Sequence, residues 1–243
     1  MGSAHSRPSR RRSFGLLAVV AAGGLATAAV IATNQASAAA GCADVHVITA
    51  RGSTEPPGEG STGALVTQIV RASDQTVSRA AVDYPATLTN YKNSSAAGVT
   101  ALTAQLTDQV ARCPDQKIVL TGFSQGAHVV LDVLGGGGGG VLGTETPPIS
   151  ASIANHVTAI ATFGDPRHVV DQPFNLGTAT RDGLFPRSAE QLRTLAGFTN
   201  QIQAFCDAGD TFCDKGLSLA VHSSYLDRHQ DDAATFVLDR IGG

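Results

Sequence analysis

Apolar and polar positions along the chain follow two patterns, one typical of buried strands and one typical of amphipathic helices. Runs that are almost entirely apolar or β-branched, such as KIVLTGF at 117–123, predict strands that are covered on both faces. Between them, apolar residues recur at spacings of three and four, which predicts helices. The predicted strands are 44–50, 80–85, 117–123, 156–166 and 199–207. The predicted helices are 63–77, 94–113 (beginning at a serine cap), 125–134 and 223–241.

The order of these elements predicts the fold class. Strands that alternate with helices form a parallel sheet with helices on both faces, connected by right-handed crossovers. We therefore expect an α/β protein, a three-layer sandwich around a central parallel sheet, without an internal repeat or a second domain. The six glycines at 135–140 predict a flexible surface loop rather than a phosphate cradle, because no lysine follows them.

The N-terminal segment has the composition of an export signal. A basic stretch precedes an uncharged segment rich in Ala and Gly, and residues 36–38 have the small-x-small form of a cleavage site. The arginine pair at 11–12, followed by Ser-Phe, indicates the twin-arginine variant. We expect residues 1–38 to be the signal, residues 39–243 to be the folded domain, and the protein to be secreted without stable membrane insertion. An uncleaved anchor is the alternative, since the apolar segment is almost long enough to span a bilayer.

Four cysteines lie in the predicted folded domain: Cys42, Cys113, Cys206 and Cys213. Export to an oxidising compartment predicts two disulfides. Cys206 and Cys213 are close in sequence and are separated by turn-forming residues, so we expect them to pair, which leaves Cys42 for Cys113. A structural zinc site is the alternative, but CxxC spacing is missing and we expect no metal.

Charge and aromatic content argue against one class of partner. The net charge is −3, the aromatic content is 5% and the chain has no Trp. Such a chain offers neither a basic surface for phosphates nor aromatic side chains for base stacking. Nucleic acid is therefore not an expected partner.

The pentapeptide GFSQG at 122–126 is the strongest chemical signal. It has the pattern G-x-S-x-G and lies between a predicted buried strand and a predicted helix, at the edge of the sheet where ligands bind. Glycine on each side lets the strand and the helix approach closely. We therefore predict Ser124 as a nucleophile and the backbone N–H of Gln125, at the helix N-terminus, as an oxyanion donor. An ordinary turn serine is the alternative.

A serine nucleophile needs a histidine base and an acid, and in this fold both follow the serine along the chain. His222 lies in a predicted loop just before the last helix and can fold back over the sheet edge, whereas His168, after Gly-Asp-Pro, competes with it. The loop CDAGDTFC offers two acids, of which Asp210 is predicted and Asp207 is expected only to cap the turn. Three other histidines are less well placed, the last of them expected to be solvated: His128, His156 and His229.

Four segments, ARGSTEPPGEG, GFSQGA, CDAGDTFC and AVHSSY, together resemble the cutinase family, which includes cutinases, cutinase-like esterases of actinobacteria and acetylxylan esterases. The resemblance runs from the first cysteine to the C-terminus and implies a lidless fold of the α/β-hydrolase type. By matching position it implies catalytic roles for Ser124, His222 and Asp210. It also implies an oxyanion hole from Ser53 and Gln125 and the same two disulfides. Two further segments, FGDPRH and PFNLGT, look more like acetylxylan esterases and their actinobacterial relatives.

These features predict a secreted, monomeric serine esterase that cleaves carboxylic esters through an acyl-enzyme, without a cofactor. The apolar run Leu217, Leu219, Ala220 and Val221 would make the rim beside His222 apolar, unless it packs under the loop. An apolar rim favours short to medium acyl esters, with cutin or other polyesters as candidate substrates. The alternative is an acetylxylan esterase that removes acetyl groups from plant polysaccharide. A secreted binding module that lacks the chemistry is the other class, but no triad residue is missing.

Overall fold

The computed structural model describes residues 1–2 and 41–242. The predicted export signal, apart from its first two residues, lies outside the described part of the chain. Within residues 41–242 no helix combines the length and the apolar character that a membrane crossing requires.

A single sheet of six strands organises the described residues. The strand order is β2-β1-β3-β4-β6-β5, and every neighbouring pair is parallel. The strands are β1 (Val45–Ala50), β2 (Val77–Ala81), β3 (Lys117–Phe123), β4 (Val157–Phe163), β5 (Asn175–Leu176) and β6 (Ile202–Phe205). The helices are α1 (Gly63–Ala72), α2 (Tyr91–Arg112), α3 (Gln125–Gly135), α4 (Ala151–Ala154), α5 (Ala189–Ala196), α6 (Leu219–Ser223) and α7 (Tyr225–Ile241). Short 3₁₀ turns occupy Gly60–Thr62, Gly140–Leu142 and Thr199–Gln201.

Two apolar cores lie on opposite faces of the sheet. Helices α1 and α7 pack in one core, and helices α2, α3 and α5 pack in the other. Successive residues of β3 supply the two cores in turn, Val119 the first and Leu120 the second. A strand buried on both faces must be apolar at every position, which is why its sequence does not alternate. The predicted three-layer α/β sandwich is confirmed.

Several element boundaries differ from the sequence predictions. The helix predicted to reach residue 77 ends at Ala72, because the Ser73 hydroxyl accepts the N–H of Gln75 (3.1 Å) and competes with helical hydrogen bonding. Strand β2 then begins at Val77, three residues before its predicted start at 80. The strands predicted at 156–166 and 199–207 are also shorter, as β4 and β6 show.

Helix α2 begins at Tyr91, three residues before the predicted serine cap. Ser94 lies inside the helix, where its hydroxyl accepts the N–H of Thr87 (3.0 Å) and donates to the side chain of Gln125 (3.2 Å). The predicted capping role is therefore wrong. The serine instead ties the helix to the loop before it and to α3.

The glycine segment differs from its predicted surface location. Gly135 belongs to α3, and Gly135, Gly136 and Gly137 are buried. The side chain of Gln191 donates to the carbonyl of Gly137 (3.1 Å), so the segment packs against α5. Helix α5 itself was not predicted, although Ser188 and Gln191 form a capping box that the sequence spells as S-x-x-Q.

Candidate active site

Ser124 occupies a sharp turn between β3 and α3. Its φ of 53° and ψ of −118° are unusual for a residue other than glycine. A Cβ on Gly122 would lie 2.5 Å from the carbonyl oxygen of Gly126, and a Cβ on Gly126 would overlap the carbonyl of Ala50. Only glycine fits at both positions, so the flanking glycines serve the close approach of strand and helix that the pattern predicted.

The backbone of the turn is held from both sides. The N–H of Ser124 donates to the carbonyl of Phe163 on β4 (2.8 Å), and the N–H of His128 donates to the carbonyl of Ser124 (3.1 Å). Ser124 is buried, with 9% of its surface exposed, and its hydroxyl makes no hydrogen bond, to His222 or to another residue, within 41–242. The backbone therefore fixes the position of the hydroxyl and leaves it free to bond a ligand.

Gln125 begins α3, so its backbone N–H has no acceptor within the helix. Its side chain is fully buried and is used elsewhere: the amide accepts from Ser94 (3.2 Å) and donates to the carbonyls of Thr87 and Tyr91 (both 3.4 Å). The side chain thus anchors the helix start, and the backbone N–H is the donor of Gln125 that is left without an acceptor in the helix.

Ser53 lies in the loop that follows β1. Its hydroxyl oxygen is buried and has no hydrogen-bond partner among the described residues. The loop around it is rigidly held, since the Glu55 carboxylate accepts the N–H groups of Gly52 (2.5 Å) and Ser61 (2.8 Å). A buried hydroxyl without a partner costs free energy, which a ligand that accepts a hydrogen bond would recover.

Asp210 and His222 are joined directly. The imidazole Nδ1 lies 2.8 Å from Asp210 Oδ2, while Asp210 Oδ1 accepts the N–H groups of Phe212 (2.6 Å) and Cys213 (2.9 Å). Asp210 is fully buried, which alone would raise the pKa of its carboxyl. The hydrogen bond and charge interaction with His222, together with the two N–H groups, outweigh burial and lower that pKa. Asp210 is therefore ionised at neutral pH.

The imidazole of His222 packs beside the serine turn. Its ring centroid lies 4.9 Å from the ring of Phe123, the residue before Ser124, and 4.5 Å from the ring of Phe212. His222 does not lie in a loop as predicted, because α6 forms around it. The Ser218 hydroxyl caps this helix by accepting the N–H of Val221 (3.1 Å). In the sequence this cap is a single serine, which by itself does not indicate a helix.

Asp207, the other acid of the loop, has different partners. Its Oδ2 accepts from the Arg228 guanidinium (2.8 Å) and from His229 Nε2 (2.8 Å), and its Oδ1 accepts the N–H of Thr178 (3.2 Å). The expected solvation of His229 is wrong, because its ring stacks on Phe205 with a centroid distance of 4.8 Å. Asp207 thus joins the loop to α7.

His128 and His168, the other candidate bases, have partners other than Asp210. The ring of His128 contacts the Tyr91 hydroxyl (2.9 Å) and the Asp132 carboxylate (3.0 Å) in a buried network. His168 is buried next to Asp165, and burial lowers the pKa of its imidazole. Among the described residues, His222 is the histidine whose ring contacts Asp210.

Sequence reasoning missed Tyr225, the first residue of α7. Its hydroxyl donates to Asp210 Oδ2 at 2.8 Å. The tyrosine ends the segment AVHSSY, three residues after His222, but its spacing alone indicates no partner.

The predicted disulfides are confirmed. Cys42 is bonded to Cys113 and Cys206 to Cys213, and no free cysteine occurs in residues 41–242. The second bridge joins cysteines seven positions apart and closes the loop that carries Asp210.

Comparison with known proteins places the chain in a family. The sequence model of the Cutinase family matches residues 41–241. Cutinase 11 of Verticillium dahliae is 33% identical over 230 residues, which cover 89% of this chain and 75% of that protein. The acetylxylan esterase of Hypocrea jecorina is 34% identical over 206 residues, which cover 81% of this chain and 67% of that protein.

A solved structure agrees with the sequence relatives. The catalytic core domain of acetylxylan esterase from Trichoderma reesei superposes with a TM-score of 0.75 at 32% identity, covering 82% of this chain and 99% of that one. The chain therefore belongs to the cutinase family and is a carboxylic ester hydrolase.

Proposed function

We propose that Ser124, His222 and Asp210 form the catalytic triad of a serine esterase. The observation that carries this proposal is the bond of 2.8 Å between His222 Nδ1 and Asp210 Oδ2, beside a serine held in a strained strand-to-helix turn. An ionised carboxylate only accepts hydrogen bonds, so Nδ1 carries the proton and Nε2 carries the lone pair. That tautomer is the one a general base requires.

In the proposed reaction, the Ser124 oxygen attacks the ester carbonyl while His222 Nε2 takes the hydroxyl proton. Asp210 stabilises the imidazolium. The N–H of Gln125 and the hydroxyl of Ser53 donate to the oxyanion. The carbon–oxygen bond to the alcohol breaks, the alcohol leaves with the proton from His222, and an acyl-enzyme remains. Water attacks this ester with His222 again as base, which releases the carboxylic acid and restores the serine.

For the substrate, we propose short to medium acyl esters, including those of insoluble polyesters. Leu217 and Leu219 precede His222 and are 98% and 63% exposed. Leu184, 41% exposed, donates its N–H to the carbonyl of Phe212, whose ring packs on His222. Exposed leucines from separate segments next to one site support binding of an apolar acyl group or an apolar surface.

Removal of acetyl groups from a polysaccharide is the second candidate. It is supported by the acetylxylan esterase of Hypocrea jecorina among the relatives. Rates on acetylated xylan and on butyrate esters distinguish the two candidates.

We also propose that the enzyme is exported and acts as a monomer. The two disulfides support an oxidising compartment, as does the signal-like composition of residues 1–38. One chain supplies every group of the proposed site, which supports activity without a second subunit.

Replacement of the nucleophile tests the triad. Ser124→Ala should lower kcat for a nitrophenyl butyrate ester by about 10⁵-fold or more, with an unchanged circular dichroism spectrum. An organophosphate should label Ser124 in the wild type, and the exposed control Ser152→Ala should keep full activity. Label on another serine, or full activity of Ser124→Ala, would refute the proposal.

A further inference from the structure

The carboxylate oxygen that contacts His222 has a second donor. Tyr225 is fully buried, and its hydroxyl donates to Asp210 Oδ2 at 2.8 Å, the same oxygen that lies 2.8 Å from His222 Nδ1. With the two N–H groups on Oδ1, the Asp210 carboxylate accepts four hydrogen bonds. Tyr225 is thus the only side chain besides His222 that donates to this carboxylate within residues 41–242.

The direction of the Tyr225 hydroxyl proton follows from its other neighbours. The backbone N–H of Asp207 donates to the Tyr225 oxygen at 2.9 Å, so a lone pair of the phenol points toward Asp207. The disulfide sulfur of Cys213 lies 3.2 Å from the same oxygen, but it is an uncharged and weak acceptor, so the proton points to the closer Asp210 carboxylate. Burial, together with the negative charge of Asp210, raises the pKa of the phenol, so the hydroxyl is protonated and able to donate at neutral pH.

The tyrosine ring is itself fixed. The Arg228 guanidinium lies 5.0 Å from its centroid, and the rings of His222 and His229 lie at 6.3 Å and 6.1 Å. Arg228 and His229 also bind the Asp207 carboxylate. The first turns of α7 therefore hold the loop after β6 at Asp207 and at Asp210.

We propose that Tyr225 is a positioning residue of the esterase, which orients the Asp210 carboxylate and moderates the negative charge that Asp210 presents to His222. The proposal rests on the proposed triad. Oδ1 is restrained by two backbone groups, but Oδ2 is held in line with the imidazole only by its two side-chain donors. The phenol keeps this oxygen in place while the imidazole changes charge during each catalytic cycle.

Tyr225→Phe removes the hydroxyl and keeps the ring. We expect kcat to fall about tenfold with KM unchanged, because the orientation of Asp210 acts on the chemical steps and not on ester binding. The acid limb of kcat/KM should move to higher pH, since Oδ2 without its second donor stabilises the imidazolium more strongly. The other ionisable groups that face Tyr225, Asp207, Arg228 and His229, are unchanged in this variant.

A second variant makes the opposite prediction. Incorporation of 3-fluorotyrosine at position 225 keeps the ring and strengthens the hydroxyl as a donor. The acid limb should then move to lower pH, while KM stays unchanged. If Tyr225→Phe does not fold, the fluorotyrosine variant decides the question alone.

Tyr91→Phe is the matched control. It also removes a buried phenol bonded to a histidine, here His128 at 2.9 Å, outside the proposed site. Its thermal stability can fall, but kcat and the acid limb should equal those of the wild type.

An acid limb that stays in place in both Tyr225 variants would overturn the proposal and leave Tyr225 a purely structural residue. Failure of the triad itself has a different signature, because Asp210→Asn or Ser124→Ala would then keep wild-type activity. If those two variants lose activity while both Tyr225 variants behave as the wild type, the triad stands and only the proposed role of Tyr225 is rejected.

Discussion

Ser124, just after β3, has a positive φ, a conformation that reduces the stability of the fold by roughly 1–3 kcal/mol when the residue is not glycine. The surrounding structure enforces it through the backbone bonds to Phe163 and from His128. The conformation places the serine in the turn between the end of the strand and the start of the helix. Strain at this single residue therefore fixes where the hydroxyl lies at the sheet edge.

Ser53 is the residue for which a role outside folding is most directly testable. Its hydroxyl has no partner in the described structure, so Ser53→Ala removes no folded-state hydrogen bond. We expect kcat for a butyrate ester to fall about 100- to 1000-fold, as when one oxyanion donor is lost, with little change in KM. Steady-state kinetics and urea unfolding measure both effects.

Thr121→Val is the control for Ser53→Ala, because the Thr121 hydroxyl is also buried and without a partner among the described residues. It lies within β3 and should leave kcat unchanged. Equal losses in the two variants would show that the effect of Ser53 comes from packing.

At the scale of elements, the loop between β6 and α6 carries Asp210, the proposed acid of the triad. Besides the Cys206–Cys213 bridge, the Asp214 carboxylate holds this loop by accepting the N–H groups of Gly209 (2.7 Å) and Thr180 (2.9 Å). Burial alone would raise the pKa of the Asp214 carboxyl, but the hydrogen bonds from these N–H groups outweigh burial, and the pKa is lowered. A disulfide bond and the hydrogen bonds to a carboxylate therefore fix the loop together.

The two disulfides should differ in their effect on catalysis. Replacing Cys206 and Cys213 by Ala should lower kcat and reduce the free energy of unfolding by about 2–3 kcal/mol. Replacing Cys42 and Cys113, which are 71 positions apart and outside the site, should cost about 4 kcal/mol and leave kcat unchanged. Activity below the unfolding transition, urea titration and non-reducing peptide mapping check these expectations.

At the scale of the whole molecule, exposed leucines lie on separate segments, Leu217 and Leu219 just before His222 and Leu184 bonded through its N–H to Phe212. Leu217→Ser with Leu219→Ser should reduce the preference for hexanoate over acetate esters and spare acetate hydrolysis. Each buried methylene contributes at most ~0.8 kcal/mol, about fourfold in rate, so a change of several-fold is expected. The ratio of kcat/KM values along a series of nitrophenyl esters measures it.

Val70→Ser on α1 is the control for the two leucine replacements, since Val70 is also a partly exposed apolar residue, at 37% exposure. It should leave the ester preference as in the wild type. If the wild type prefers acetylated xylan to butyrate esters and the leucine replacements change nothing, removal of acetyl groups is the better assignment.

The sequence by itself determined the features that depend on neighbours along the chain. The bounds of β3 and the start of α3 match their predictions, because a strand buried on both faces and a buried helix each leave a periodic apolar pattern. The glycines of GFSQG specify the serine turn, since no larger residue fits at either position. The spacing of Cys206 and Cys213 likewise identified their bridge.

Only the tertiary structure decided what surrounds the two acids of the loop. The sequence favoured Asp210 over Asp207 as the acid beside His222, but local pattern indicated neither the partners of Asp207 nor a second side-chain donor to Asp210. Helix α7 supplies both, because its Arg228 and His229 bind Asp207 and its Tyr225 donates to Asp210. These hydrogen bonds join residues 15 to 22 positions apart, and their formation depends on how α7 packs on the sheet. Such packing leaves no periodic trace near either residue.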